Sequence, residues 1–212
     1  MLTPPAAPFA SVIEPLDDAG FAAMRGCSWH DDPRCPARSA LARVRVAHVD
    51  LTGEVRMGTL VVAAAIAPRV VQLFGRLYAI GFPLARMEPV DAHGADDDLS
   101  MADDNTSAFN FRVVAGTTVL SQHALGLAID LNPVENPMVW PAVPGAAPRF
   151  VPPGATDFLD RLHVRPGMIV RPGPVTAILD ELGWEWGGDW RHVADLHHIV
   201  WNPRGERRLR RG

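Results

Sequence analysis

The chain has 212 residues, of which 48% are hydrophobic and 21% are charged, and its formal net charge at pH 7 is -4. These values are typical of one soluble globular domain, and the negative charge argues against general nucleic-acid binding. No stretch approaches the roughly 20 apolar residues that a membrane-spanning helix needs. Residues 1–10 also lack the basic start and the apolar run of a secretory signal peptide.

The N-terminal half predicts an extended lead-in, three strands and a helix. We assign residues 1–24 to an N-terminal lead-in segment. Strand-like patterns, rich in Val in the first two cases, predict strands over 41–49, 59–65 and 83–90. Between the second and third strands, apolar residues recur at helical spacing from Pro68, and Gly81 closes the predicted helix.

The C-terminal half is less regular. Residues 91–107 are rich in Asp, Asn, Ser and Gly and predict a long loop, of a kind that is often functional. Prolines predict a second irregular region over 133–173, and a helix over 175–182 should end at Gly183. Further strands are predicted over 109–114, 126–131 and 196–201. Because helices and strands intermix without regular alternation, we expect an α+β fold with an antiparallel sheet.

The two cysteines, Cys27 and Cys35, lie close together in a segment that contains Pro and Asp. A disulfide between them would suit an extracellular protein, and a pair of free thiols is the alternative. A zinc site made of these cysteines alone is disfavoured, because two thiolates are half of the usual ligand set.

The segment 121–130 contains the first candidate metal ligands, His123 and Asp130. In a straight strand these two residues would lie about 23 Å apart on opposite faces, and in a helix about 10 Å apart along the axis. The chain must therefore bend between them, and Gly126 is where a bend or a close backbone approach costs least. The apolar residues 127–129 then bury the strand that presents Asp130, whose carboxylate must be paired or metal-bound.

The second candidate segment is Asp-Leu-His-His-Ile at residues 195–199. A catalytic zinc site typically has three protein ligands and an open position for water, so one more histidine completes the set. His197 and His198 are adjacent and would face opposite sides of a strand, so only one is expected to bind. Asp195 lies close enough to stand beside the metal as a general base.

These residues belong to a longer pattern with a family resemblance. The pattern runs Ser121-x-His123-x-x-Gly126-x-Ala128-x-Asp130, then Gly183-Trp184-x-Trp186-Gly187-Gly188-x-Trp190, then Asp195-x-x-His198. In order and spacing it resembles the zinc D-alanyl-D-alanine carboxypeptidase and L-alanyl-D-glutamate endopeptidase family, which includes phage endolysins and vancomycin-resistance dipeptidases. Residues 104–112 and 129–133 match as well, so the resemblance covers a peptidase domain over about 25–202.

The resemblance implies an α+β fold of the hedgehog-like DD-peptidase type, in which helices flank a central antiparallel sheet. It implies zinc held by three ligands, and the Asp-x-x-His spacing selects His198 over its neighbour as the third. The implied ligands are His123, Asp130 and His198, and the implied base is Asp195. Arg112 would lie near the substrate carbonyl and stabilise the developing oxyanion, with a structural ion pair as the alternative.

The same resemblance suggests where substrate binds. The candidate contacts are Ser121, Asn105, Ser107 and Trp190. A turn-forming hydroxyl is the alternative for Ser121. The tryptophans of the second motif either pack in the core or line the cleft and stack on wall sugar or peptide.

The chain departs from similar sequences at three places. Similar sequences often have Cys at the position before Arg112, where this chain has Phe111. By this comparison, Cys27 and Cys35 are left to pair with each other. Leu196-His197 stands where Tyr-Pro is common, and Ile199 where Phe is common.

The implied function is hydrolysis of a peptide bond in peptidoglycan stem peptides, of D-Ala-D-Ala carboxypeptidase or L-Ala-D-Glu endopeptidase type. We expect a monomer, outside the cell or at the cell wall. The alternative is a catalytically inactive, zinc-stabilised module that binds cell wall or protein, but such a module needs no base at Asp195. A serine hydrolase built on Ser121 lacks the Gly-x-Ser-x-Gly elbow. The basic tail, 203–212, is expected to be solvated, with attraction to anionic wall polymers or lipid as the alternative.

Overall fold

The computed structural model describes residues 4–142 and 145–202, so the predicted basic tail lies outside the described residues. The described chain combines helices with antiparallel sheets, which confirms the α+β class. The strands do not form one central sheet, however. Within the described residues they form three separate three-stranded antiparallel sheets and one parallel pair.

The first sheet contains β1 (Ser11–Pro15), β2 (Leu41–Val49) and β3 (Val55–Ala63) in that order. Strand β2 has the predicted bounds, whereas β3 begins four residues before the predicted strand over 59–65 and ends two residues before its end. Within the predicted lead-in, β1 pairs with β2 and is followed by the short helix α1 (Asp18–Met24).

Helix α2 (Ala67–Ala79) covers one face of the first sheet and agrees with the predicted helix. Its fully buried positions recur at helical spacing, as an amphipathic helix requires. They are Ala67, Val70, Leu73, Phe74 and Leu77. Helix α4 (Pro174–Leu182) packs near α2 and ends at Gly183, whose left-handed backbone (φ +80°) confirms the predicted stop.

The second sheet, which we call the site sheet, has the order β6 (Ala128–Asp130), β11 (His198–Trp201), β9 (Trp184–Trp186). Its register places His198 directly opposite Asp130. Apolar side chains of this sheet join the same core cluster as the first sheet and α2. The site sheet is therefore anchored in the main core rather than on the surface.

Two smaller pairings complete the fold. In the third sheet, β7 (Met138–Val139) pairs with both β8 (Phe150–Val151) and β10 (Ala194–Asp195). The parallel pair joins β4 (Arg86–Met87) to β5 (Asn105–Thr106). The predicted strand over 83–90 is thus reduced to two residues.

Two further predictions between residues 91 and 114 were wrong. The predicted loop over 91–107 contains helix α3 (Asp97–Ala102), which begins where the Asp96 side chain accepts a hydrogen bond from the Leu99 N–H. The predicted strand over 109–114 is irregular. Its three consecutive N–H groups, at Phe109, Asn110 and Phe111, donate to three different elements, so no ladder forms.

The partners of those three N–H groups are the carbonyl oxygens of Val61, His123 and Ser28, in that order. The segment therefore ties the first sheet, the first candidate metal ligand and the N-terminal region together.

The predicted disulfide is absent, because both cysteines are free thiols. Burial and the neighbouring carboxylate of Asp91, which interacts with the thiol, raise the pKa of Cys27. Cys35 packs instead against an apolar cluster that includes Leu16 and Phe109. The two thiols therefore have different neighbours.

None of the helices in residues 4–142 and 145–202 has the length and apolar character needed to cross a bilayer.

Candidate metal centre and active site

The three side chains predicted as ligands meet at one end of the site sheet. His123 Nε2 lies 3.2 Å from Asp130 Oδ2 and 3.2 Å from His198 Nδ1, and that nitrogen lies 3.0 Å from Asp130 Oδ1. All three residues are buried. Among the described residues, this is the group whose His and carboxylate atoms converge within 4.8 Å, as a metal site requires.

A sharp turn at Gly126 brings His123 and Asp130 together, as the sequence predicts. His123 begins a short 3-10 turn (His123–Leu125), and Gly126 then adopts a left-handed conformation with φ +67°. A Cβ atom at this position would lie 2.5 Å from the backbone nitrogen of Ala63. The Ala63 N–H donates to the Gly126 carbonyl at 2.9 Å, so the turn is fixed to β3.

The hydrogen bond on the far side of His123 fixes which ring nitrogen faces the cluster. His123 Nδ1 lies 2.6 Å from the Ala108 carbonyl oxygen, which can only accept, so Nδ1 donates. In the neutral ring Nε2 is then a lone-pair atom directed at the Asp130 carboxylate and His198. This arrangement, with a carbonyl behind the ring, is the usual support of a metal-binding histidine.

The electrostatics of the cluster favour a positive charge at its centre. Burial raises the pKa of Asp130, but the charges of His123 and His197 outweigh it and hold that pKa well below its ordinary value. Burial likewise lowers the pKa of His123, but Asp130 outweighs it, so the net shift is upward. The donor set of two imidazoles and one carboxylate fits Zn²⁺ with a position left open.

Asp195 is the candidate base, and it lies on the short strand β10 with 5% of its surface exposed. Its Oδ1 lies 2.9 Å from Nε2 of His197, although the angle is not that of an aligned hydrogen bond. Gly187 permits this close packing. A Cβ atom there would lie 2.5 Å from the Asp195 carbonyl oxygen and 3.3 Å from the Cβ of His198.

His197 does not point away from the site, contrary to the expectation for adjacent residues on a strand. It precedes the first residue of β11, so strand alternation does not apply to it. Its ring is buried, and its Nε2 also lies 4.0 Å from Asp130 Oδ1. Burial lowers the pKa of His197, but the charges of Asp195 and Asp130 raise it to about 9.

Arg112 forms an ion pair with Asp97 of helix α3, the structural alternative named for it. Asp97 also accepts a hydrogen bond from Nδ2 of Asn110 at 2.9 Å. The Arg112 guanidinium nevertheless acts on the centre, because its charge opposes protonation of His123.

The predicted substrate contacts occupy three kinds of position. Ser121 is buried, and its hydroxyl accepts a hydrogen bond from the His123 N–H at 3.2 Å, as a turn-forming residue does. Ser107 is half-buried and exchanges two backbone hydrogen bonds with Asp130. Asn105 is fully buried, and its amide bonds the backbone of Glu88 and the hydroxyl of Ser100, so we assign it a structural role.

The tryptophans of the second motif divide between core and surface. Trp184 and Trp186 are buried, and Trp186 Nε1 donates to the Leu196 carbonyl at 2.8 Å. Trp190 is 39% exposed, and its ring centroid lies 5.2 Å from that of His198. Trp190 therefore presents an aromatic face beside the candidate metal centre.

A comparison with protein families recognises this part of the chain. Residues 115–201 match the model of a family described as D-alanyl-D-alanine carboxypeptidase. Over these residues, the resemblance to the D-alanyl-D-alanine carboxypeptidase family is confirmed. No curated protein and no solved structure gives a significant match to the chain.

The segment that matches the carboxypeptidase family holds the whole candidate centre, from His123 to His198, together with Asp195. Arg112 and helix α3 precede the matched segment. The sequence interpretation missed two contacts, those of Asp97 with Arg112 and of His197 with Asp195. Spacing gave no sign of the first, but the unusual His-His pair was a signal for the second.

Proposed function

We propose that the protein is a zinc metallopeptidase that hydrolyses a peptide bond in peptidoglycan stem peptides, outside the cell or at the cell wall. The observation that carries this proposal is the buried His123–Asp130–His198 group, which His197 links to the buried Asp195 carboxylate. The group lies within a segment that matches a D-alanyl-D-alanine carboxypeptidase family. The candidate bonds are D-Ala-D-Ala and L-Ala-D-Glu.

The proposed ligands are His123, Asp130 and His198, and a zinc ion bound there would supply the Lewis-acid chemistry that makes water a nucleophile at neutral pH. Asp195 accepts a proton from the attacking water. As the carbon–nitrogen bond breaks, Asp195 returns that proton to the leaving amine. Its burial keeps bulk water from competing for the proton.

Arg112 and Trp190 act on the substrate rather than on the proton. Asp97 contacts Nε of Arg112. We assign the terminal N–H groups of Arg112 to the substrate carbonyl oxygen, on which negative charge develops. Trp190 offers an exposed ring next to His198, against which the peptide can stack. Ser107 and Ser121 lie behind the ligands and are proposed to shape the cleft floor.

The test is a digestion of synthetic stem pentapeptides and purified peptidoglycan, with products identified by mass spectrometry. We expect cleavage that a zinc chelator abolishes and added Zn²⁺ restores, and the product masses identify the bond. The matched control is Asp195→Asn, which should retain zinc but lose turnover. If wild-type protein with zinc confirmed bound cleaves no wall peptide, the proposal is wrong and a zinc-stabilised binding module takes its place.

A further inference from the structure

His197 is a buried side chain that the proposed reaction does not use, yet both of its ring nitrogens are engaged. Nδ1 lies 2.9 Å from the Asn136 carbonyl oxygen, and Nε2 lies 2.9 Å from Asp195 Oδ1. The carbonyl oxygen and the ionised carboxylate can only accept, so these two contacts require an N–H on both ring nitrogens, as in the imidazolium form, which forms an ion pair with Asp195. The ring therefore bridges a fixed backbone group and the candidate base.

The backbone end of this bridge is rigid. Asn136 is fully buried, and its side-chain amide donates to the carbonyls of Leu131, Asn132 and Gly167. Its side-chain oxygen accepts from the Ile169 N–H at 2.6 Å and from Arg161 at 3.0 Å. The carbonyl of His197 accepts from the Leu131 N–H at 3.0 Å, so both the ring and the backbone of His197 are held.

The carboxylate end has little other support. Asp195 Oδ1 is buried and has no aligned hydrogen-bond partner among the described residues. The strand that carries it, β10, is only two residues long. A base held by backbone alone could rotate about its side-chain torsions, whereas catalysis requires it to keep one orientation.

We infer that His197 is a positioning residue that holds the Asp195 carboxylate in the orientation needed for proton transfer. The inference rests on the proposed function. We do not assign His197 as a fourth metal ligand, because its Nε2 lies outside the converging ligand group and faces Asp195 Oδ1 at 2.9 Å.

Two substitutions of His197 test its backbone contact and its Asp195 contact separately. In His197→Asn, the amide nitrogen can replace Nδ1 but cannot reach Asp195. In His197→Gln, the amide nitrogen can replace Nε2 and reach Asp195. Because supporting partners of metal sites are typically worth about 10–100-fold in activity, we expect His197→Asn to lower kcat about 10–100-fold. His197→Gln should stay within about fivefold of wild type.

The positioning role predicts a loss of kcat without a matching loss of substrate or zinc binding. KM of His197→Asn should stay within about threefold of wild type, since it does not depend on the base. Zinc binding should not weaken, because the variant removes a positive charge from beside Asp130. His163→Gln is the control, because His163 is 85% exposed and pairs only with Asp160 among the contacts seen. Equal kcat values for the Asn and Gln variants, or a kcat loss matched by zinc loss, would contradict the inference.

A second measurement does not depend on turnover. In crystal structures of the zinc-loaded proteins, Asp195 should keep its wild-type side-chain torsions in His197→Gln and change them in His197→Asn. Unchanged torsions in both variants would overturn the inference. If the wild-type protein cleaves nothing, the proposed function fails, and the Asp195 torsions still decide whether His197 positions this carboxylate.

Discussion

The two sides of the candidate site are built differently. On one side, Asp130 and His198 lie opposite each other on paired strands whose apolar residues belong to the main core. On the other side, Arg112 and Trp190 lie on irregular segments and are partly exposed. Under the proposed function, the paired strands would fix the metal geometry, and the irregular side would select the substrate.

The largest expected effect comes from removing a ligand on the rigid side. His123→Ala should lose zinc and lower activity by at least about 10³-fold, because the water-activating chemistry depends on the metal. Zinc content by atomic absorption and peptide cleavage measure the two losses. Retained zinc with full activity would remove His123 from the ligand set.

The next effect separates chemistry from metal binding. Asp195→Asn should lower kcat about 10²–10⁴-fold, the range for a general acid–base group, while zinc content stays stoichiometric. Single-turnover kinetics with a stem peptide provide the measurement. A variant that turns over at the wild-type rate would show that another group accepts the proton.

The turn that joins the ligands should be costly to alter. Gly126→Ala places a Cβ atom 2.5 Å from the Ala63 nitrogen in a left-handed turn, and we expect a loss of about 3 kcal/mol in unfolding free energy. Gly94→Ala is the matched control, because Gly94 has a similar φ of +64° and nothing within 4 Å. Its loss should be about 1 kcal/mol. Urea unfolding that gave equal losses would contradict the close-approach argument.

The buried Glu135 carboxyl and its half-buried partner Asp104 predict pH-dependent stability. Burial, followed by the hydrogen-bonded Asp104, raises the pKa of Glu135 to about 9. The folded state then holds a proton that the unfolded state releases near its ordinary pKa of 4.5. The resulting stabilisation is full below pH 4.5 and is lost as pH rises towards 9.

Glu135→Gln should remove this dependence. Between pH 6 and 8 we expect wild type to lose about 2–3 kcal/mol of unfolding free energy relative to the variant. Urea titrations at several pH values measure the difference. Parallel curves for the two proteins would exclude a proton held by Glu135.

The smallest effect should come from the exposed side. Trp190→Ala should raise KM about fivefold with little change in kcat, because the ring is proposed to contact the substrate but not the reacting atoms. Its stability should change by less than about 1 kcal/mol, whereas Trp186→Ala, in the core, should lose about 3–5 kcal/mol. A kcat loss in Trp190→Ala would instead place its ring in the reaction.

The strand side of the site was the part accessible to sequence reasoning. The seven-residue interval from His123 to Asp130 demands a bend, and Gly126 is the residue that permits it. The apolar run before Asp130 predicts a buried strand, and the Val-rich hairpin and both long helices follow from periodicity.

The remaining features depend on tertiary contacts that no local pattern encodes. The N–H groups of residues 109–111 have partners in three elements, so a strand-like sequence does not form a strand. Helix α3 arises within a polar segment because Asp96 caps it. The environments of Cys27 and Cys35 likewise follow from packing, and sequence proximity alone wrongly suggested a disulfide.

Hydrogen exchange at the three consecutive amides of residues 109–111 can show how the protein responds when the candidate centre is occupied. The Asn110 N–H donates to the carbonyl of His123, whereas its two neighbours donate to Val61 and Ser28. Slower exchange at Asn110 alone would indicate that the backbone at His123 opens less often. Slower exchange at all three amides would indicate that the surrounding fold opens less often. One peptide fragment would thus distinguish local from global responses to an occupied centre.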